Sequence, residues 1–292
     1  MKVLLTGCQG QVGYYLNRQL KEKPWTLLAC GRRELDISDG EAVADMVQSF
    51  MPDVIINAAA YTAVDRAESE SELAFKVNAD GPENLAKAAQ KVNAALLHIS
   101  TDYVFSGDKQ GLYTEVDSVA PTGAYGASKL TGEAVVIKHC SRHIILRTSW
   151  VFGEHGQNFV KTMLRLGQDR KQLSVVADQF GGPTFAGDIA KALIKIVGQI
   201  VEVNANICWG VYHYSGLPHV SWFQFAETIF RQAQEQGVIE RPPALSAIET
   251  SSYPTAAKRP ANSALDCDKI NQVFGIKQSD WAAALLRIKH YI

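Results

Sequence analysis

Tyr125 and Lys129 stand four residues apart in Tyr125-Gly126-Ala127-Ser128-Lys129, at the start of a stretch with helical periodicity. On a helix that spacing sets both side chains on one face. An ammonium group beside a phenol favours the phenolate, moving a group that ordinarily ionises near about 10 toward the range useful for proton transfer. Tyr125 is therefore a candidate general acid or base. The competing reading is an exposed Tyr/Lys pair on an ordinary helix, so the surroundings must decide.

Two other stretches supply partners for that chemistry. Leu96-Leu97-His98-Ile99-Ser100 reads as a strand, and Ser100-Thr101-Asp102-Tyr103-Val104-Phe105 places hydroxyls at its carboxyl end, where Thr101 could hydrogen-bond the same substrate oxygen as Tyr125. His98 alternates with apolar neighbours and reads as packed within the sheet. At the amino terminus the apolar run Val3-Leu4-Leu5-Thr6 is followed by Gly7-Cys8-Gln9-Gly10-Gln11-Val12-Gly13 and then a helical pattern through Leu16 and Leu20. A strand, a glycine turn and a helix in that order let backbone approach a pyrophosphate and aim helix amides at it. Nucleotide binding is the expectation. After the second strand, Thr26-Leu27-Leu28-Ala29-Cys30, the chain offers Arg32 and Arg33 where an NAD site commonly places a carboxylate. Guanidinium groups suit a 2'-phosphate, so NADPH is expected ahead of NADH.

These residues need a scaffold. Brief strands are expected at Leu35-Asp36-Ile37, Asp53 to Asn57 and Ile144 to Thr148. Helices are expected from a capping box at Ser38 to Glu41 and from Ser69 to Val92, the latter irregular at Gly81-Pro82. Small residues, Ala58-Ala59-Ala60-Tyr61, close the strand ending at Asn57 and leave space for a flat ligand. The alternation predicts a doubly wound Rossmann-type α/β sheet over 1–150, binding the cofactor. Beyond it, 151–292 is expected to be a smaller, mainly substrate-binding region, some segments returning to the first. Its helical spacing recurs at Phe159 to Leu166, Ile189 to Val197 and Phe223 to Ala233, with short strands at Leu173 to Val176 and Val211 to Tyr214.

Composition sets the outer bounds. The 292 residues are 47% hydrophobic and 20% charged with a net charge of -1, ordinary for a globular chain, and no long basic stripe offers a nucleic-acid footprint. Five scattered cysteines without C-x-x-C spacing fit a reducing compartment. The apolar run after Met1-Lys2 is short for a signal peptide, and no stretch approaches the roughly 18 apolar residues of a membrane span. A cytoplasmic protein with no membrane or nucleic-acid partner is expected.

Taken together, the glycine turn, Asn57-Ala58-Ala59-Ala60, the run from Ser100 to Phe105 and the Tyr125–Lys129 motif resemble an extended short-chain dehydrogenase/reductase. More narrowly, Asn57 to Glu68, Arg147-Thr148-Ser149-Trp150-Val151, Asn158-Phe159-Val160, Asp178 to Thr184 and Arg259-Pro260-Ala261-Asn262-Ser263 resemble the dTDP-4-dehydrorhamnose reductases, over nearly the whole chain. The resemblance implies NADPH-dependent reduction of a 4-keto dTDP-sugar to dTDP-L-rhamnose, for cell-surface polysaccharide. It implies Thr101, Tyr125 and Lys129 as the catalytic trio. Asp102 and Trp150 would lie against the sugar nucleotide, with Gly10, Gln11, Val12, Asp36, Ile37, Ala60, Tyr61 and Thr62 holding the cofactor beside Gly7, Gly13 and Arg32. Some members of that family bind magnesium at a dimer interface through two glutamates. Here the positions fall on Tyr15 and near Gly187, so no metal is expected, and a homodimer is left open. A non-catalytic subunit on this scaffold, resembling the beta subunit of methionine adenosyltransferase, is the alternative, as is another sugar-nucleotide reductase or epimerase. A dehydratase would carry Asp-Glu where this chain has Asp102-Tyr103.

Overall fold

The structure, a computed structural model, describes residues 1–202 and 207–292. In chain order β1 (Lys2–Thr6), α1 (Gln11–Leu20), β2 (Thr26–Cys30), α2 (Gly40–Phe50) and β3 (Val54–Asn57) are followed by the short helices α3 (Val64–Ala67) and α4 (Ser71–Phe75). A π-helical turn, Lys76–Asp80, leads into α5 (Gly81–Lys91), and β4 (Ala95–Thr101), α6 (Ala124–His139) and β5 (His143–Thr148) come next. Then follow β6 (Val151–Phe152), α7 (Phe159–Asp169), β7 (Gln172–Val176), β8 (Phe180–Gly181), β9 (Thr184–Phe185), α8 (Ala186–Glu202), β10 (Gly210–His213) and α9 (Trp222–Glu235).

Six of the strands form one sheet in the order β10-β5-β4-β3-β1-β2, every neighbouring pair parallel. Side chains alternate across it. Leu4, Ile55 and Leu96 lie in register and pack with Val43, Val47, Leu85 and Val136 of α2, α5 and α6. Val3, Leu5, Ile56 and Leu97 face the opposite layer, where Leu16 and Leu20 of α1 meet Ile189 and Leu193 of α8. Both faces are buried, as a parallel sheet requires. Full burial of each such side chain contributes on the order of 1.5–3 kcal/mol. The strand order reverses between β1 and β3, and their carboxyl ends are where such a sheet binds a ligand.

Four local expectations are corrected or refined. Leu35-Asp36-Ile37 is a loop, not a strand: Leu35 and Ile37 are both buried as plugs against α2 and α5, and Asp36 accepts from the amide and hydroxyl of Ser38. Their alternation imitates a strand without a partner to pair with. Asp39, rather than Ser38, caps α2, accepting from the amides of Glu41 and Ala42. The irregularity expected at Gly81-Pro82 is the π turn just before it. The strand anticipated from Val211 to Tyr214 is β10, which joins the edge of the large sheet beside β5.

At the end of β10, His213 is wholly buried, its Nδ1 3.0 Å from the Tyr113 carbonyl, with Nε2 unpartnered among the described residues. Burial, with the nearby Arg147 cation, pushes its pKa down from 6.5 to about 3. The native state therefore holds His213 neutral while the unfolded chain protonates it, so this contribution to stability is present above about pH 6.5 and is lost as pH falls toward about 3. Replacing His213 with Gln should flatten the acid limb of unfolding free energy by up to about 1.4 kcal/mol per pH unit in that window. Urea titrations of both proteins at about pH 7 and about pH 4.5 check this; an unchanged slope refutes it.

Candidate active site

The glycine turn sits at the sheet's reversal point. Gly7 has φ of +70°, and a Cβ on Gly13 would lie 2.0 Å from the Gly7 carbonyl oxygen, so the turn closes on α1 only because both are glycine. Gly10 differs. A Cβ there would meet nothing of the protein nearer than 3.4 Å. The protein's own packing does not demand glycine at that position, whereas an approaching pyrophosphate would. Gly10 is also the N-cap of α1 and supplies no side-chain acceptor, leaving the first helical amides to an anion.

A cavity of about 240 Å³ opens beside this turn, walled by Gly7, Gly10, Arg32, Asp36, Ala60 and Tyr61, with Ile37 at its side. These residues fit the adenosine end of a dinucleotide. Arg32 is free to turn, its side chain 73% exposed and its Nε 3.6 Å from the Asp36 carboxylate. Asp36 is held below the usual carboxylate range, first by the Ser38 hydroxyl and also by Arg32. Gln11, Val12 and Gly13 begin α1 next to the cavity, with Gln11 Oε1 accepting from Asn158 at 3.1 Å. Thr62 is exposed and Arg33 is not on the cavity wall.

Tyr61 ties this cavity to α6 through a residue the sequence did not single out. Asn78, in the π turn and 1% exposed, accepts from the Tyr61 amide at 2.8 Å. It donates to the Tyr61 carbonyl and to Ser128 Oγ, each at 3.0 Å. Ser128 lies between Tyr125 and Lys129. The three tyrosines Tyr61, Tyr125 and Tyr103 pack in one cluster, Tyr103 meeting Tyr125 edge to face with ring centres 5.5 Å apart.

Lys129 is buried. Its Nζ donates to the Ile99 carbonyl at 2.7 Å and lies 3.4 Å from His98 Nε2. His98 in turn meets Asn57 Nδ2 through Nδ1 at 3.0 Å. The Asn57 amide is oriented by its other end, where Oδ1 accepts from Thr6 Oγ1 at 2.7 Å and from the Ala59 amide at 3.1 Å. Nδ1 of His98 is thereby assigned as an acceptor. Burial, with the Lys129 charge, holds this imidazole well below 6.5, and burial lowers Lys129 to about 8 against the pull of Glu133. One turn past Lys129, Glu133 is bound by Arg147 of β5 through bonds of 2.9 and 2.6 Å, fixing α6 on the sheet.

The expected lowering of the Tyr125 phenol is not what this arrangement produces. Burial dominates and raises its pKa, with the Thr101 hydroxyl opposing, because the Lys129 ammonium is spent on Ile99 rather than on the phenol. A phenol so held keeps its proton at neutral pH, which is the state a proton donor needs. Thr101 caps the 3-10 turn Asp102–Val104, accepting from the Tyr103 amide at 3.2 Å while donating to Asp102 Oδ1 at 3.0 Å.

On the far side of Tyr103 lies a larger cavity of about 640 Å³, lined by Tyr103, Trp150, Trp222, Asp65, Arg170 and Arg259 among others. Trp150 has φ of +47°, a strained position for a bulky side chain that costs of order 1–3 kcal/mol. It is held there by stacking on Trp222 at 3.5 Å and by its Nε1 donating to Ser263 Oγ at 3.2 Å. Arg259 donates to the Tyr103 hydroxyl at 2.9 Å and to Asp65 at 2.6 Å. Asp102 is not on the cavity wall and is only 3% exposed. Sequence reasoning missed Trp222 and Asn78 altogether. The capping box of α9, Ser221 with Gln224, was the signal available for Trp222.

A family model described as RmlD substrate binding domain matches residues 1–291. A dTDP-4-dehydrorhamnose reductase of Aggregatibacter actinomycetemcomitans is 51% identical over 99% of both chains. That of Escherichia coli K12 is 41% identical over 99% of this chain and 97% of its own. This chain belongs to the dTDP-4-dehydrorhamnose reductase family. Among solved structures, the dTDP-4-dehydrorhamnose reductase of Bacillus anthracis in complex with NADP superimposes with a TM-score of 0.90 at 38% identity, covering 99% of this chain and 98% of that one. At the two positions where the family resemblance implies metal-binding glutamates, Tyr15 is buried with its hydroxyl accepting from the Glu154 amide at 3.0 Å. Gly187 is packed against Phe185. Among the described residues no three His, Cys, Asp or Glu side chains converge as a metal site, and no helix is long and apolar enough to cross a membrane.

The two turn glycines make separable predictions. Gly13→Ala should lower thermal stability, since its methyl collides with backbone. Gly10→Ala should melt like the parent yet bind NADPH about tenfold or more weakly, a loss of about 1.4 kcal/mol. Calorimetry of unfolding and of cofactor binding checks both; a Gly10→Ala protein with parental NADPH affinity contradicts the placement of the pyrophosphate.

Proposed function

We propose that this chain reduces the C4 ketone of dTDP-4-dehydrorhamnose to give dTDP-L-rhamnose, using NADPH, in the cytoplasm. The observation that carries the reading is the position of Tyr125, packed in one cluster with Tyr61 of the small cavity and Tyr103 of the large one. Full-length likeness to the reductases supports the substrate class. Residues 1–150 serve mainly the cofactor and 151–292 mainly the sugar nucleotide.

When bound, the reduced nicotinamide supplies the hydride. The chain's own residues do the rest. Tyr125 gives its proton to the oxygen developing at C4, a role for which burial has kept it protonated. Thr101 orients the carbonyl, and Lys129, anchored beneath by the Ile99 carbonyl, holds the nicotinamide ribose. Trp150 with Trp222 forms an aromatic wall for the sugar, and Arg259 and Arg170 offer positive charge to the diphosphate from the same cavity. General-acid assistance of this kind is worth about 10² to 10⁴ in rate. Asp102, behind Thr101, supports the sugar-binding end of the site.

Oxidation of NADPH should be seen on adding dTDP-4-dehydrorhamnose, with dTDP-L-rhamnose as product. Arg32→Ala should lower kcat/KM for NADPH about tenfold while changing that for NADH less than about twofold, because the guanidinium at the cavity mouth meets only the 2'-phosphate. Tight NADPH binding with no turnover of 4-keto sugar nucleotides contradicts the reading; equal losses for both cofactors contradict the role of Arg32.

A further inference from the structure

Residues 253–260 run along the wall of the large cavity as a loop without regular structure, contributing Tyr253, Thr255, Arg259 and Pro260 to its lining. Both ends of the loop are tied down. Thr250 donates to the Asp178 carboxylate through its amide at 2.9 Å and its hydroxyl at 2.7 Å, and the Asn262 amide donates to the Gly107 carbonyl at 2.9 Å. Between them Ser251 to Ala256 are all exposed, and the next polar ties to the rest of the chain converge on one carboxylate in α3. Asp65 Oδ1 accepts from the Ala257 amide at 3.1 Å and Oδ2 from Arg259 Nη2 at 2.6 Å, while Arg259 Nη1 donates to the Tyr103 hydroxyl at 2.9 Å. Asp65 is itself held in place. Three residues further on, Glu68 accepts from the amide of Ala124, the first residue of α6, at 2.9 Å, where the N-cap Gly123 has no side chain to do so. The Asp65 side chain is 45% exposed, so its ion pair adds little to stability. On the wall of a cavity suited to a diphosphate its charge also opposes the ligand. What the pair does provide is a fixed guanidinium: two of its donors are engaged, and the remaining ones keep a set direction.

We propose that Asp65 is a positioning residue for the sugar nucleotide: it clasps Arg259 and the loop that carries it, so that the guanidinium is already oriented when the diphosphate arrives. The proposal rests on the reductase reading, in which Arg259 meets the diphosphate. A free arginine side chain gives up rotamer entropy on binding a ligand, whereas one held at two donors has lost most of it beforehand. The Ala257 bond extends the clasp to the backbone, and Ala257, 2% exposed, is buried beneath it. Asp65 touches neither the reacting carbonyl nor the cofactor cavity and acts on substrate binding through Arg259 alone. Its charge offsets that of Arg259, so its contribution is placement and not attraction.

The test compares the parent with Asp65→Asn, Arg259→Ala and the double variant. Asparagine keeps an acceptor for the Ala257 amide, so a role confined to tying the backbone survives, but it loses the charge that holds the guanidinium. Asp65→Asn should melt and bind NADPH like the parent. It should raise the Kd for dTDP and the KM for dTDP-4-dehydrorhamnose about tenfold, with kcat within about twofold. Arg259→Ala should weaken dTDP binding at least as much, and adding Asp65→Asn to it should cost nothing further, because the two residues act as one unit. Calorimetric titration with dTDP reads the effect without turnover. The clasp is overturned by unchanged or tighter dTDP binding in Asp65→Asn, by a fall in kcat with KM unchanged, or by losses that add in the double variant. A parent that neither binds dTDP nor reduces dTDP-4-dehydrorhamnose overturns the reductase reading and the clasp with it, whereas an active parent with an unaffected Asp65→Asn protein overturns the clasp only.

Discussion

Lys129 carries an ammonium group to a place with 2% exposure, and much of the site's architecture follows from receiving it there. Burying an unpaired cation is expensive, so it must be met by oriented acceptors. β4 provides one directly, the Ile99 carbonyl, with the His98 ring packed beside it. The ring is fixed by a rung of polar residues in register across three strands, Thr6, Asn57 and His98, on the sheet face whose previous row is Leu4, Ile55 and Leu96. That polar row, followed on the same face by Ser100, Arg147 and His213, sets where α6 can dock. Arg147 and Glu133 lock the same helix one turn later. A buried pair of this type is a poor source of stability and a good source of register.

The consequence for chemistry is that Lys129 is anchored rather than mobile, and Tyr125, one turn earlier, is placed with it. β4 runs further along the sheet than β3, whose last residue, Asn57, pairs with His98, so Thr101 projects three residues beyond that pairing. The hydroxyl of Thr101, a residue still paired with β5 at Thr148, therefore faces the phenol of Tyr125 beyond the end of β3, in the crevice where the loops diverge. The glycine turn and the Ala58–Ala60 loop bound the crevice on one side and the Trp150–Trp222 stack bounds the larger cavity on the other. Backbone strain at Trp150 is stored where the ring has to face the cavity.

Much of this was legible in the sequence because strong local signals coincide with the functional edge. The glycine turn, the hydroxyl run after β4 and the Tyr125–Lys129 spacing each name a strand end or a helix start. Leu35 to Ile37 misled because apolar alternation records burial, and burial can be met by plugs from a loop as well as by a paired strand. The effect of Lys129 on Tyr125 misled for a different reason. Spacing on a helix gives proximity, but the direction of a pKa shift depends on burial and on which group consumes the charge, and Ile99 lies 30 residues away in the chain. His98 reads as a packed sheet residue, and it is packed. Its contact with Lys129 depends on α6 crossing β4, a tertiary fact. Asn78 was invisible because an asparagine within a helical stretch looks like many others, and Trp222 had only the capping box of α9 to mark the helix start, not its stacking on Trp150.

In the proposed reaction Tyr125 is the proton donor, and Thr101 and Lys129 position substrate and cofactor around it. Tyr125→Phe removes one oxygen from a packed tyrosine cluster and leaves the glycine turn, Lys129 and the sheet untouched. Single-turnover reduction of dTDP-4-dehydrorhamnose, measured beside NADPH affinity, tests that assignment most directly. The expected result is a loss of about 10² to 10⁴ in rate with NADPH affinity within about threefold of the parent; near-parental reduction by a folded Tyr125→Phe protein would contradict it.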